Sequence, residues 1–176
     1  ILLLGATLAR AADPKPSTPL SAQLERIFAK KSFEAKKFGP SSWMDGGRAY
    51  TTVEPSAADP EAKEIVRYDT ASGARRVLVP ASALVPAPGQ KPLAIDDYAW
   101  SKDGKRLLLF TNTKKVWRRN TRGDYWVLEL ATGRLHKLGA GGPESSLMFA
   151  KFSPDGGRAA YVRGNDLWVE DIASEK

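Results

Sequence analysis

One stretch of the sequence, residues 97–138, alternates short apolar segments with turn residues and predicts four consecutive strands. The first, Tyr98–Trp100, leads into a tight turn at Gly104, because glycine adopts the positive φ that such turns need. The second, Arg106–Asn112, contains four apolar residues in a row, which favours a strand buried on both faces. The third and fourth are predicted at residues 124–130 and 134–138. Four antiparallel strands in about 40 residues is the size of one β-propeller blade.

The same pattern recurs on both sides of this stretch. Residues 149–161 align with 99–110, and residues 166–174 repeat 124–132. A looser copy begins at Trp43 and continues through a third strand at 64–69. The aligned turn glycines, Gly46, Gly104 and Gly156, are 58 and 52 residues apart, a spacing that suits blades carrying loops.

The predicted fold class is therefore all-β, a partial β-propeller of about three four-stranded antiparallel blades, the last incomplete, with a short N-terminal helix. Propellers close with about four to eight blades, so three blades do not complete a ring. Because the sequence also begins without Met, we expect it to be a fragment of a longer protein.

Three segments are expected along the chain. Residues 1–11 are apolar and end in a small-x-small motif, which indicates the remnant of a signal peptide. Such a peptide implies export to the periplasm or beyond. The alternative is that these residues form a buried strand or helix of the fold. Residues 12–40 form a lead-in with a helix at Ser17–Phe28, where Leu20, Leu24, Ile27 and Phe28 share one face that is expected to pack. Residues 41–176 form the partial β-propeller.

Composition constrains the partners only weakly. The formal net charge of +7 suits a polyanionic partner, but a piece of a longer protein need not share the charge balance of the whole. The absence of cysteine fits either a cytoplasmic protein or an exported protein without disulfides.

No motif in the sequence supplies a catalytic centre. There is no nucleophile elbow, phosphate-binding loop or metal-ligand cluster, so no catalytic residue, metal or cofactor is expected. Ser101 and Ser153 lie in hairpin turns without a base beside them. The only histidine, His136, is expected to be structural or solvated.

A basic segment, residues 114–122, combines five cations with Trp117 and allows three interpretations. It is a solvated loop between the second and third strands, a loop whose arginine holds a ligand carbonyl or carboxylate, or a nucleic-acid patch. The first is favoured over the second on physical grounds. Nucleic acid is the least favoured, because no nucleic-acid-binding fold surrounds the segment.

Several segments resemble the N-terminal propeller region of bacterial dipeptidyl peptidase IV-type serine peptidases, of the prolyl oligopeptidase clan. The similarity spans roughly Leu20 to Ile172, and its most specific part is the Trp117-Arg118 pair ahead of Tyr125. The other segments with this similarity are 25–28, 38–40 with Trp43, 91–101, the stretch from 110–113 to Trp126, and 147–156.

The resemblance implies the non-catalytic propeller portion of an exported serine exopeptidase, periplasmic or secreted. Such an enzyme removes N-terminal Xaa-Pro or Xaa-Ala dipeptides, and its propeller gates and positions the substrate. The triad would belong to a C-terminal α/β-hydrolase domain of the same chain, so these residues alone should be inactive. The partners implied are a peptide with a free N-terminus and that hydrolase domain; no nucleic acid is expected, and homodimer formation is left open.

The resemblance also implies that Arg118 binds the substrate. In the family, the matching arginine hydrogen-bonds the substrate backbone at the cleft. Trp117 is expected to pack against the blade, and the polar run 119–123 to let the chain bend towards the propeller mouth. Two alternatives stay open: a non-enzymatic exported β-propeller scaffold that binds proteins, and a polyanion-binding module that uses residues 114–122.

Overall fold

The computed structural model describes residues 19–35 and 38–176, which fall into two compact units, 1–37 and 38–176. In the first unit, an α-helix at Pro19–Leu24 (α1) continues into one π-helical turn at Glu25–Ala29. The predicted helix Ser17–Phe28 is therefore present, although its first two residues and the predicted signal remnant lie outside the described residues. Among the described residues of this unit, the side chains of the expected packing face are 45–73% exposed.

The second unit begins with a four-stranded antiparallel sheet in which sequential strands are neighbours. Its strands are β1 Ser41–Met44, β2 Ala49–Pro55, β3 Lys63–Asp69 and β4 Arg75–Val79. The turn between β1 and β2 contains Gly46 with a φ of 63°. This is the position predicted from the aligned glycines, and the sheet has the order of one blade.

The next seven strands form a second, larger antiparallel sheet. They are β5 Asp97–Trp100, β6 Arg106–Val116, β7 Arg119–Glu129, β8 Leu135–Lys137, β9 Leu147–Phe152, β10 Arg158–Arg163 and β11 Asp166–Asp171. The C-terminal half of β7 pairs with β8, whereas its N-terminal end pairs with β9 through Arg122 and Met148. Two blade-like groups, β5–β8 and β9–β11, are thereby joined into one sheet. The sheets do not close on each other, and the prediction of a partial propeller is confirmed.

Strand β6 contributes to two hydrophobic cores. Leu107 and Leu109 pack with residues of the first sheet, including Ile65 and Val79, while Leu108 packs with Val127 of β7 and with residues of the last blade-like group. Alternate side chains of a strand point to opposite faces, so one strand serves both cores. All three leucines are buried, which confirms the predicted strand buried on both faces.

The polar segment 113–123 is not the loop that the sequence predicts. Strand pairing between β6 and β7 continues through it as far as Val116 and Arg119, with register shifts on either side of Lys114. Backbone hydrogen bonds across a hairpin do not depend on apolar side chains, so the charged residues extend the ladder beyond the core. The consequence is a β-hairpin that reaches past the end of β5, whose pairing with β6 stops at Phe110.

The proline-rich segment after β4 connects the two sheets. It contains a short 3-10 helix at Ala81–Leu84, and Leu84 of this helix is fully buried. Among the residues that the structure describes, none belongs to a helix long and apolar enough to cross a membrane.

Candidate functional site

The end of the β6–β7 hairpin, residues 113–123, is here called the basic hairpin. Its turn consists of Trp117 and Arg118, and Trp117 has a φ of 58°, a backbone region that favours glycine. The indole of Trp117 is 93% exposed. The expectation that Trp117 packs against the blade is therefore wrong, because the paired strands hold the turn away from the core. Arg118 is likewise exposed at the tip.

Five cationic side chains lie on this hairpin without an acidic partner. Within residues 19–35 and 38–176, none of them has a carboxylate oxygen within 4.0 Å; they are Lys114, Lys115, Arg118, Arg119 and Arg122. Some arginines elsewhere in the same unit do have acidic partners, as Arg75 has Glu54 and Glu64. The positive charge of the basic hairpin is therefore free to meet a ligand.

A buried carboxylate fixes the base of the hairpin. Asp124, 5% exposed, accepts hydrogen bonds from the Asn112 side chain at 2.9 Å and the Ser145 backbone N–H at 2.9 Å. The ammonium of Lys137 lies 3.0 Å from the same carboxylate. The Ser145 hydroxyl in turn donates to the Asn112 carbonyl at 2.6 Å. This Asp124 network joins β6, β7, β8 and the segment before β9 where the basic hairpin leaves the sheet.

The electrostatics of the network favour the charged carboxylate. Burial raises the pKa of Asp124, but hydrogen bonds from Asn112 and Ser145 and the charge of Lys137 outweigh burial, so the pKa lies below its ordinary value. Asn112 has a φ of 46°, in the left-handed region that asparagine tolerates better than most residues. The sequence gives little signal of this network, because Asn112 lies twelve residues before Asp124 and neither belongs to a recognisable motif.

Glycine is required where the two strands approach each other below the tip. A Cβ built on Gly123 would lie 2.7 Å from the Thr111 carbonyl oxygen and closer still to the Phe110 ring. The Phe110 ring is stacked on Tyr125 at a centroid distance of 4.6 Å. A side chain at position 123 would therefore displace both the backbone of β6 and this aromatic pair.

A cavity of about 220 Å³ lies beside the base of the basic hairpin. Aromatic residues contribute to its lining, with Asp97, Asn120 and Thr121 as polar neighbours; they are Tyr98, Phe110, Tyr125 and Phe149. Burial is the main reason why the pKa values of Tyr98 and Tyr125 are raised. Both phenols therefore stay neutral at physiological pH, and the Tyr98 hydroxyl donates to Thr51 Oγ1 at 2.8 Å.

The two serines occupy equivalent turns, as the sequence predicts. The Ser101 hydroxyl donates to Asp103 at 2.7 Å and accepts the Arg106 backbone N–H at 2.9 Å. The Ser153 hydroxyl makes the matching bonds to Asp155 and the Arg158 backbone N–H. Neither serine has a histidine partner in the part of the chain described, and each hydroxyl is committed to its turn.

His136 is buried in β8, opposite Val127, and is only 7% exposed. Neither ring nitrogen has a hydrogen-bond partner among the described residues. Burial lowers the pKa of the imidazole, and the charge of Arg134 adds to this effect, whereas Glu129, Glu170 and Glu175 oppose it. These observations favour a structural role for His136 over the position of a solvated surface residue.

We expect the stability of the chain to fall as the pH drops below about 6.5, the ordinary pKa of histidine. Because the folded-state pKa of His136 is lowered, the unfolded chain binds the proton first, and stability is lost until the folded pKa is reached. The melting temperature between pH 7.5 and 5.5 measures this loss. The chain has one histidine, so His136→Gln should flatten the profile. An unchanged slope in that variant would show that another group carries the pH dependence.

No group of three or more His, Cys, Asp or Glu side chains within residues 19–35 and 38–176 is arranged to hold a metal ion. What the site offers chemically is an exposed, unpaired set of hydrogen-bond donors on a firmly anchored hairpin. Such an arrangement binds anions and carbonyl oxygens, and it contains no nucleophile.

Comparisons with known proteins agree with this architecture. Residues 101–176 match the model of the dipeptidyl peptidase IV (DPP IV) N-terminal region. The crystal structure of Porphyromonas gingivalis dipeptidyl peptidase 4 superposes with a TM-score of 0.68 and 24% identity, covering 86% of this chain and 20% of the other. At that identity the superposition shows the fold.

Curated sequences give the same family. A probable dipeptidyl-aminopeptidase B of Aspergillus clavatus is 31% identical over 85 residues, which are 48% of this chain and 9% of the relative. The Aspergillus niger protein of that name is 28% identical over 132 residues, 75% of this chain and 14% of the relative. The chain thus spans a small part of the length of these relatives. Together with the blade-like sheets, these matches show that the chain carries a dipeptidyl peptidase IV-type N-terminal region, to which residues 101–176 belong.

Proposed function

We propose that this chain is the non-catalytic propeller portion of an exported serine exopeptidase that removes Xaa-Pro or Xaa-Ala dipeptides from free N-termini. The observation that carries the proposal is the unpaired Arg118 at the tip of the basic hairpin, within a dipeptidyl peptidase IV-type region. The role proposed for the propeller is to gate and position the peptide.

Arg118 suits this role because its guanidinium needs no rearrangement before it binds. The group has no carboxylate within 4.0 Å among the described residues, so a ligand does not compete with an internal ion pair. Its planar N–H donors match a peptide carbonyl or carboxylate in a forked geometry. The Asp124 network holds the hairpin base, which limits the entropy lost when the tip binds.

The chemistry would come from a C-terminal α/β-hydrolase domain of the same chain. The described residues support such a division of labour, because their serines hold turns and their only histidine is buried without a hydrogen-bond partner. Binding and orientation by the propeller would then raise the effective concentration of the scissile bond at the nucleophile.

The test uses the full-length protein and a fluorogenic Ala-Pro substrate with a free amine. We expect release of the dipeptide, loss of hydrolysis when the amine is acetylated, and no hydrolysis by residues 38–176 alone. A serine-directed phosphonate should inhibit the full-length protein. Absence of hydrolysis in a folded full-length protein would reject the peptidase and favour the non-enzymatic scaffold.

Export forms a separate part of the proposal. Cell fractionation with an antibody to the full-length protein should find it in the periplasm or the medium. Recovery of the protein only with cytoplasmic markers would reject export and leave the peptidase activity to be judged on its own.

A further inference from the structure

We infer that Lys114 and Arg122 form a subsite for an acidic side chain of the peptide, on the leaving side of the scissile bond. The inference rests on the proposed function, because it takes Arg118 to hold the backbone of the N-terminal dipeptide. It adds a preference for peptides of a stated chemistry, those with Asp or Glu shortly after the cleavage point.

The two cations lie directly opposite each other in the strand pairing. Lys114 of β6 is the register partner of Arg122 of β7. Like charges at directly opposed positions destabilise a strand pair, since their Cβ atoms lie only about 4.5–5.5 Å apart. Both residues are exposed, and neither has a carboxylate within 4.0 Å in the described part of the chain. A carboxylate supplied by a ligand would relieve this repulsion and contact both cations.

The local backbone sets this pair apart from the rest of the ladder. The register shifts on both sides of Lys114, between Thr111 and Lys114 and again between Lys114 and Lys115. Such bulges re-aim side chains and are common beside active sites. Arg122 is also paired with Met148 of β9, so the cation lies between two neighbouring strands and not on a free edge. Charged side chains on a free edge strand often prevent pairing with another chain. Because Arg122 does not lie on a free edge, that role does not explain its presence.

The spacing identifies which part of a peptide would meet the pair. Three register positions separate Lys114 and Arg122 from the Trp117-Arg118 turn, a distance of about 10 Å along the hairpin. An extended peptide covers that distance in about three residues. A dipeptide ahead of the scissile bond is too short to reach it. The acidic residue must therefore lie within the first few positions after the cleaved bond.

An acidic peptide fits the surface better than a nucleic acid does. The hairpin carries a single aromatic residue, Trp117, so it offers no platform for several stacked bases. Its two opposed cations suit one carboxylate, whereas binding along a phosphate backbone needs a longer basic track.

The experiment compares two peptides in the full-length enzyme, Ala-Pro-Ser-Glu-Glu-Ser and Ala-Pro-Ser-Gln-Gln-Ser, at low ionic strength. We expect kcat/KM to be about threefold to tenfold higher for the acidic peptide, the range set by one or two exposed ion pairs. The preference should shrink in 0.5 M NaCl, because salt screens exposed charges. The double variant Lys114→Gln/Arg122→Gln should remove it. Lys102→Gln, an exposed cation in the β5–β6 turn at the other end of β6, should retain it.

A short fluorogenic Ala-Pro substrate, which ends at the scissile bond, separates this inference from the proposed function. Equal turnover of this substrate by the wild type and the double variant, with loss of the acidic preference, supports the subsite. No preference in an enzyme that cleaves the short substrate overturns the subsite alone. No cleavage of any substrate rejects the proposed function. Binding of labelled single-stranded DNA that competes with the acidic peptide and is lost in the double variant overturns the peptide assignment in favour of a polyanion.

Discussion

Replacing Asp124 by alanine is expected to lower the free energy of unfolding by about 3 kcal/mol, the low end of the range for breaking a buried ion pair. The lower value applies because Lys137, with 31% of its side chain exposed, can be rehydrated once the carboxylate is gone. The buried N–H of Ser145 would lose its acceptor, which adds a desolvation cost. Urea unfolding of the chain, followed by tryptophan fluorescence, measures the difference.

Asp166→Ala is the matched control for this substitution. Asp166 is an exposed aspartate at the start of β11, and the same change there should stay within about 0.5 kcal/mol of the wild type. Equal effects of the two substitutions would contradict a special role for the Asp124 network. Asp124→Asn should fall between the two, since the amide keeps one acceptor and loses the charge.

The pH dependence of this difference follows from the pKa of Asp124. Because the folded pKa is lowered, the carboxylate contributes stability that is fully present above the unfolded value of about 3.9. That contribution is lost as the pH falls through the folded pKa. The stability gap between the wild type and Asp124→Ala should therefore narrow below about pH 4. A gap that stays constant to pH 2 would assign the effect to packing and not to charge.

The sequence was sufficient to predict the blades, because their determinants are local. Leu107, Leu108 and Leu109 are consecutive apolar residues, and such a run folds as a strand only where both of its faces are covered. Gly104 and Gly156 adopt φ values of 67° and 71° in their turns, which is the reason for their alignment.

The shape of the candidate site could not be predicted in the same way. Hydrophobic alternation marks a strand only as far as the core extends, so the charged residues of the hairpin gave no signal that β6 continues to Val116. The exposure of Trp117 follows from that extension, since a tryptophan in a loop is expected to pack. The partners of Asp124 lie on separate segments, and only the folded chain brings Asn112 and Ser145 to the same carboxylate.

The role of Arg118 remains a prediction from the family resemblance, and kinetics of the full-length enzyme test it. Arg118→Ala should weaken kcat/KM for Xaa-Pro substrates by about 1.5–3 kcal/mol, the scale of a hydrogen bond to a charged group. This corresponds to a loss of about 10-fold to 150-fold. Arg118→Lys should not restore the rate, because an ammonium lacks the planar fork that grips a carbonyl.

Arg119→Ala provides the control within the same hairpin. Arg119 is also exposed and unpaired among the described residues, but it begins β7 opposite Val116 and lies outside the two-residue turn. Both substitutions remove one positive charge from the same surface, so a purely electrostatic effect of the basic hairpin would lower kcat/KM equally in the two variants. A loss confined to Arg118 would instead require a directional contact made at the tip of the turn. Equal and negligible losses would assign Arg118 to the solvated surface, and the substrate would then have to be held by other residues.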